Sequence, residues 1–362
     1  MSDVTGTILL LVLIIGVMLW AWGLADALGR PVHEWDDSGK SRQLWVTLLG
    51  PLGFFASPVY LLTVRPALED VIQRRLAVGR EHVDPSVLDD VEPVPGSAKP
   101  DPILVVDGLV RRFGGLVAVD VDHVEIQRGI ITGLIGPNGA GKTTFFNLLT
   151  GFDTPNEGES VFDGMNMAGS HAHTMASRGM VRTFQLTKAL ARMTVLDNMM
   201  LGGNHQTGEN VFAALVPPIW NKNEASIRKR ASDLLDRFGI GHMADEYAGS
   251  MSGGQRKLLE MARALMTEPE LVMLDEPMAG VNPALTQSLL EHVKELRADG
   301  MSVIFVEHDM DVVRDISDWV VVMAEGAIIA EGSHESVTSN RQVIDAYLGS
   351  QHDDPVVAGE GS

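Results

Sequence analysis

The chain has 362 residues, enough for more than one packed domain, and a formal net charge of −20, which makes a bare phosphate backbone and hence nucleic acid an unexpected partner. It contains no cysteine, so disulfides, thiol catalysis and cysteine-held metals are excluded.

The first predicted element is the uncharged apolar run 8–25, ILLLVLIIGVMLWAWGLA, about long enough to cross a ~30 Å hydrocarbon core as a helix. A second uncharged run covers 44–64, interrupted by Pro51 and Pro58, so that a full span and a re-entrant or interfacial segment both remain open. A secretory leader is a poor reading of the first run, because no Lys or Arg precedes it. Residues 1–80 are thus expected to be a membrane-anchoring region in contact with lipid. With two spans, Arg65, Arg74, Arg75 and Arg80 fall on the same side as the remainder of the chain, as the positive-inside tendency prefers. Residues 81–102 are acidic and proline-rich and read as an extended tether, and 351–362 read as a flexible tail.

From Ile103 to about position 350 the pattern becomes short apolar or β-branched runs alternating with helical ones, which marks an α/β fold with a parallel sheet wrapped by helices. Strands are expected at 130–135, 271–274 and 303–306. Helices are expected at 141–149, 224–238, 254–266, 283–299 and 310–316. No internal repeat is visible, so the α/β region is one unit.

Gly136-Pro137-Asn138-Gly139-Ala140-Gly141-Lys142-Thr143-Thr144 follows the first of those strands and opens a helix, which is the context in which such a loop wraps nucleotide phosphates. Gly139 and Gly141 let the backbone curl inward, Lys142 is expected to neutralise the β- and γ-phosphates, and Thr143 to ligate Mg²⁺ with Thr144 beside it. Asp275 ends an apolar strand and is placed to reach Mg²⁺ or its water. Glu276, next to it, is placed to activate the attacking water.

These runs, with Met251-Ser252-Gly253-Gly254-Gln255 just ahead of the strand ending in Asp275-Glu276-Pro277, resemble the ATP-binding cassette (ABC) ATPases over 103–349. The resemblance implies a P-loop NTPase core with a mixed sheet and a helical signature subdomain, with ATP and Mg²⁺ as cofactors. It also implies roles for further residues. Gln185, in Arg-Thr-Phe-Gln, corresponds to the loop glutamine that contacts Mg²⁺ and the attacking water. His308, in Val-Glu-His-Asp, corresponds to the switch histidine at the γ-phosphate, and its neighbours Glu307 and Asp309 are not counted as metal ligands. Ser252, Gly253, Gly254 and Gln255 correspond to the signature loop, which caps the γ-phosphate of an ATP held by a second cassette. Phe113 corresponds to the aromatic that stacks on adenine, with a core phenylalanine as the alternative. Met251 stands where leucine is usual, and Asn282 where aspartate is commoner.

Arg112 to Val119, Arg182 to Gln185 and Met193 to Asn198, with an additional apolar stretch between Asn204 and Trp220, are similar to the ATPase subunits of branched-chain amino acid importers and their urea or amide relatives. Such a subunit works with a second cassette, identical or not, with permease subunits and with a solute-binding protein. Its cassette faces the cytoplasm at the inner membrane. A membrane-spanning start departs from that group. A membrane-tethered regulatory or scaffolding ATPase without a transported solute is the alternative reading.

Overall fold

The computed structural model describes residues 16–24, 26–28, 35, 38–67, 82–167, 169–183, 190–203 and 217–350. They fall into two compact units, the first holding the described residues up to 67 and the second those from 82 onward.

In the first unit, residues 16–24 are helical, and helix α1 (Arg42–Leu49) starts at Ser41, whose side chain accepts the Leu44 N–H. The chain then turns through Gly50, Pro51 and Leu52 into α2 (Gly53–Val59). Pro58 lies inside α2 and cannot donate to the ladder, and the helix widens directly after it into a π-turn over Tyr60–Val64, where Arg65 N–H bonds the carbonyl of Tyr60. The expected span over 44–64 is therefore corrected: the run is apolar enough, but it is folded into two short helices. Among the described residues no helix is long and apolar enough to cross a membrane. Residues 8–15 and 25 of the first expected span lie outside the described residues. Trp35, Leu49, Tyr60 and Val64 form a small buried core, within which Tyr60 Oη donates to Asp26 Oδ2 at 2.6 Å.

The second unit is built on two sheets. Strands β1 (Pro102–Phe113) and β2 (Leu116–Gln127) make an antiparallel hairpin whose turn requires the positive φ of Gly114. β4 (Glu157–Phe162) pairs antiparallel with β1, and β5 (Met165–Asn166) with β4, giving the order β2-β1-β4-β5. The other sheet contains β3 (Ile131–Ile135), β6 (Met180–Arg182), β7 (Leu271–Asp275), β8 (Ser302–Val306), β9 (Trp319–Ala324) and β10 (Ala327–Gly332) in the order β10-β9-β3-β8-β7-β6. It is parallel except for β9 with β10. Alternate residues of these strands feed two cores. Val272, Leu274, Val303, Phe305, Val320 and Val322 enter one, while Leu271, Met273, Ile304, Val306, Val321 and Met323 enter the other. A strand buried on both faces reads in sequence as a continuous apolar run, which matches the expectation at β3, β7 and β8; β6, β9 and β10 are additional to the expected strands.

Helix α3 (Lys142–Leu149) follows β3, and the short α4 (Ala172–Ser177) precedes β6. Helices α5 (Val195–Met200), α6 (Pro217–Arg237) and α7 (Gly253–Leu265) pack together through Val195, Met199, Ala231, Leu235, Leu258 and Ala262. α6 begins ahead of the expected Glu224, because Pro217 and Pro218 are well tolerated in a first helical turn. Residues 204–216 of the extra apolar stretch lie outside the described residues. α8 (Pro283–Ala298), α9 (Met310–Ile316), α10 (His334–Thr338) and α11 (Arg341–Ser350) complete the unit.

Residues 82–101 do not stand off as a tether. Asp84 caps a 3-10 turn over Pro85–Leu88, and Leu88 is buried in the core with Ile103 and Val106. Lys99 Nζ donates to Glu331 Oε2 at 2.9 Å, with the two side chains 1% and 0% exposed, and Ser97 N–H and Trp319 Nε1 donate to the same carboxylate. One leucine and one fully partnered buried charge hold a segment whose overall composition is polar.

Candidate active site

The phosphate loop leaves β3 and enters α3. Gly136, Gly139 and Gly141 all take positive φ. At Gly136 a Cβ would sit 2.0 Å from the Met323 carbonyl oxygen, and at Gly141 one would sit 2.3 Å from that of Ala118, so the loop threads between β9 and β2 only with glycine at both positions. Between them lie Pro137, Asn138 and Ala140, of which Ala140 is buried. Lys142 Nζ arches back over the loop and donates to the carbonyls of Gly136 (2.6 Å) and Pro137 (2.9 Å). Burial lowers the pKa of Lys142, and the carboxylates of Glu276 and Asp275 act against that shift. Thr143 is exposed and Thr144 half-buried in the first turn of α3, where N–H groups and the helix dipole favour an anion.

The ends of β7 and β8 bring the carboxylates to this loop. Asp275 is buried at the last position of β7, and Arg182, at the end of β6, donates to its Oδ2 at 2.6 Å and to Asn147 Oδ1 on α3 at 2.6 Å. Glu276 has φ +46, an unusual value for a residue with a side chain. Its N–H donates to the carbonyl of Val306 on β8. Glu307 is buried behind that loop, where its Oε1 accepts the Met278 N–H at 2.9 Å and burial raises its pKa. The adjacent His308 is 68% exposed, with Nδ1 3.8 Å from Glu307 Oε2.

Ser252 is the N-cap of α7. Its Oγ accepts the Gln255 N–H while Gln255 Oε1 accepts the Ser252 N–H, a reciprocal capping box. Ser252 Oγ can still donate its own proton. At Gly253 a Cβ would meet nothing within 4 Å, whereas at Gly254 it would lie 1.8 Å from Leu285 Cδ2, so a side chain there would have to displace that of Leu285 on α8. Asn282 caps α8 by accepting the Leu285 N–H, a task for which it is as suitable as aspartate. Phe113, at the end of β1, is 49% exposed and therefore not a core residue, and the Arg111 guanidinium lies over its ring at 4.6 Å. Gln185 lies outside the described residues. Arg182, Lys257 and Glu307 also lie at this site, and no local pattern marks them: Arg182 opens the run that ends in Gln185, and Glu307 is adjacent to His308.

Among the described residues no group of three or more His, Asp or Glu side chains could hold a metal. The Thr143 hydroxyl and the Asp275 carboxylate are hard oxygen donors, few in number, which fits Mg²⁺ held chiefly by nucleotide phosphates and water. A family model for ABC transporters matches residues 119–279, and one for branched-chain amino acid ATP-binding cassette transporters matches residues 327–353. The probable branched-chain amino acid transport ATP-binding protein LivG of Archaeoglobus fulgidus is 41% identical over 249 residues, covering 69% of this chain and 96% of that protein. This chain belongs to the branched-chain amino acid group of ABC transporter ATP-binding proteins. The high-affinity branched-chain amino acid transport ATP-binding protein LivG of Escherichia coli K12 is 40% identical over 250 residues, 68% of this chain and 98% of that protein. Among solved structures, a nucleotide-free ATP-binding cassette from an ABC transporter aligns with TM-score 0.60 at 36% identity, covering 68% of this chain and 98% of its own. A cassette in its ADP conformation aligns with TM-score 0.59 at 35% identity, covering 68% and 99%. The protein is thus an ABC-type ATPase that hydrolyses ATP, the ATP-binding subunit of a transporter whose partners are permease subunits.

Proposed function

We propose that this ATPase drives uptake of branched-chain amino acids or chemically similar small polar solutes through a separate permease fed by a solute-binding protein. Its cassette faces the cytoplasm. The observation that carries the reading is the meeting of Lys142, Asp275, Glu276 and His308 at the ends of β3, β7 and β8, in a chain related throughout its cassette to branched-chain amino acid transport proteins. Lys142 and the N–H groups of residues 139 to 144 hold the phosphates. Glu276 takes the proton from the attacking water, His308 and Gln185 orient it at the γ-phosphate, and Phe113 receives adenine. Mg²⁺, held by Thr143, Asp275 and Gln185, supplies charge neutralisation on the phosphate oxygens. Ser252, Gly253, Gly254 and Gln255 complete the site of a second cassette, so two cassettes, identical or not, enclose two nucleotides.

Residues 1–80 attach the subunit to lipid. Support comes from Leu44, Leu52, Phe55, Val59 and Leu62, apolar side chains exposed on a unit whose residues 43–64 carry one ionisable group, the Tyr60 phenol.

Reconstitution of the full chain with its permease and binding protein in vesicles, followed by ATP-dependent uptake of labelled leucine, tests the proposal. Glu276→Gln should keep nucleotide binding and lose turnover and uptake by about 10²–10⁴-fold, the range of a general base. Hydrolysis with no uptake of any amino acid would instead favour a regulatory ATPase.

A further inference from the structure

Lys257 lies in the second turn of α7, the helix that Ser252 caps, and its Nζ donates to the main-chain carbonyl oxygen of Glu276 at 2.8 Å. We propose that Lys257 is a positioning residue for hydrolysis: it holds the peptide of Glu276 in the conformation that aims the carboxylate at the attacking water. The inference rests on the base role proposed for Glu276.

Glu276 needs such a hold. A residue with a side chain at φ +46 sits in a sparsely populated, strained region and persists there only where its surroundings impose it. The restraints come from several directions. The Glu276 N–H donates to Val306 on β8, the Ala279 N–H closes a turn onto the Glu276 carbonyl at 3.2 Å, and the Met278 N–H is fixed by Glu307. All of these lie at the ends of β7 and β8. Lys257 reaches the same carbonyl from the helical subdomain, so it ties the signature helix to the loop that carries the base.

The surroundings of Lys257 argue against an incidental surface contact. Its side chain lines a small cavity with Thr183, Glu260, Asp275 and Pro277, and burial lowers its pKa. The charges of Glu260, Glu307, Glu276 and Asp275 favour the ammonium form against that burial. A lysine stem long enough to reach water has been drawn into a partly desolvated place and given a carbonyl to hold. A neutral side chain of the same length could fill the space but could not donate. The effect expected of its loss is therefore a misplaced base rather than lost nucleotide affinity, since small misplacements of a reacting group are costly to rate.

The test uses the full-length chain in five forms: parent, Lys257→Met, Lys257→Arg, Glu276→Gln, and Lys257→Met combined with Glu276→Gln. Single-turnover hydrolysis and binding of a fluorescent ATP analogue with Mg²⁺ are measured on each. Lys257→Met should lower the hydrolysis rate about tenfold or more, part of the 10²–10⁴ that a general base supplies, with nucleotide affinity changed by less than about twofold. Lys257→Arg, which keeps a donor, should recover most of the rate. In the Glu276→Gln background Lys257→Met should add no further loss, because there is no base left to misplace. A purely structural lysine would lower both backgrounds alike or weaken nucleotide binding, and either result would overturn the proposal. So would an unchanged rate in Lys257→Met beside an inactive Glu276→Gln. Retained turnover in Glu276→Gln would instead remove the base reading itself. If Lys257→Met does not fold, Lys257→Leu, which also lacks a donor, is read by the same criteria.

Discussion

Arg182 and Asp275, 93 positions apart in the chain, meet as an ion pair at 2.6 Å, with side chains 6% and 4% exposed. The guanidinium also donates to Asn147 and lies over the Phe146 ring at 5.6 Å, so one side chain joins β6, β7 and α3 directly beneath the phosphate loop. Removing one member of such a pair leaves the other charge buried without compensation. Arg182→Met is expected to destabilise the protein by about 3–5 kcal/mol, read as a shift in the urea midpoint. Combining it with Asp275→Leu should recover a large part of that loss. A single-variant loss below about 1 kcal/mol, the range of an exposed pair, would show that solvent reaches the site.

The phosphate loop offers a controlled comparison. Gly139 and Gly141 share positive φ, but a Cβ at Gly139 meets nothing within 4 Å while one at Gly141 lies 2.3 Å from the Ala118 carbonyl oxygen. Gly139→Ala should cost only the conformational strain, on the order of 1–2 kcal/mol. Gly141→Ala must also displace β2 and should lower both melting temperature and ATP affinity further. Thermal unfolding with and without nucleotide would check the order of the two variants, and equal effects would count against the close approach.

Glu307 links pH to stability. Burial raises its pKa in the folded protein, against the Met278 N–H and the His308 charge, which lower it. A carboxyl whose folded pKa lies above its unfolded value contributes its stability fully below the unfolded pKa and loses it as pH rises through the folded pKa. The ionised form therefore costs stability at neutral and alkaline pH. Glu307→Gln keeps an acceptor for Met278 N–H and removes the charge, so its melting temperature should exceed the parent's by a margin that widens from about pH 5 to about pH 8. A margin that shrinks with rising pH would reverse the sign of this argument.

Lys99 and Glu331 make the same point for the segment ahead of the cassette. Both side chains are buried, and Glu331 also accepts from Ser97 N–H and Trp319 Nε1. Lys99→Met should cost about 3–5 kcal/mol in denaturant unfolding, with Glu331→Gln in the same chain restoring much of it. A near-neutral Lys99→Met would mean that residues 82–101 come away from the cassette before it unfolds.

The cassette, the order of its motifs and most of the residues proposed to act are legible in the amino-acid order alone. Loops that grip phosphates do so with consecutive backbone groups, so Gly136 to Thr144 is legible as a contiguous run, and strands buried on both faces announce themselves as apolar runs ending in Asp275 and Val306. The antiparallel hairpin of β1 and β2 was less legible, because Arg112 to Val119 reads as a family motif before it reads as two strands and a glycine turn. Contacts between distant positions became visible in the folded chain. Pro51 marks a candidate interruption of 44–64 in the sequence, but which of the two open readings holds was settled by the turn through Gly50 and Pro51 that parts α1 from α2. The acidic composition of 81–102 conceals one lysine whose partner is 232 positions away. Lys257 and Glu307 are ordinary charged residues in sequence, and the small size of each signal is physical: a hydrogen bond to a carbonyl or an N–H depends on where two chain segments are brought together, and that is set by the packing of α7, β7 and β8 rather than by any local pattern.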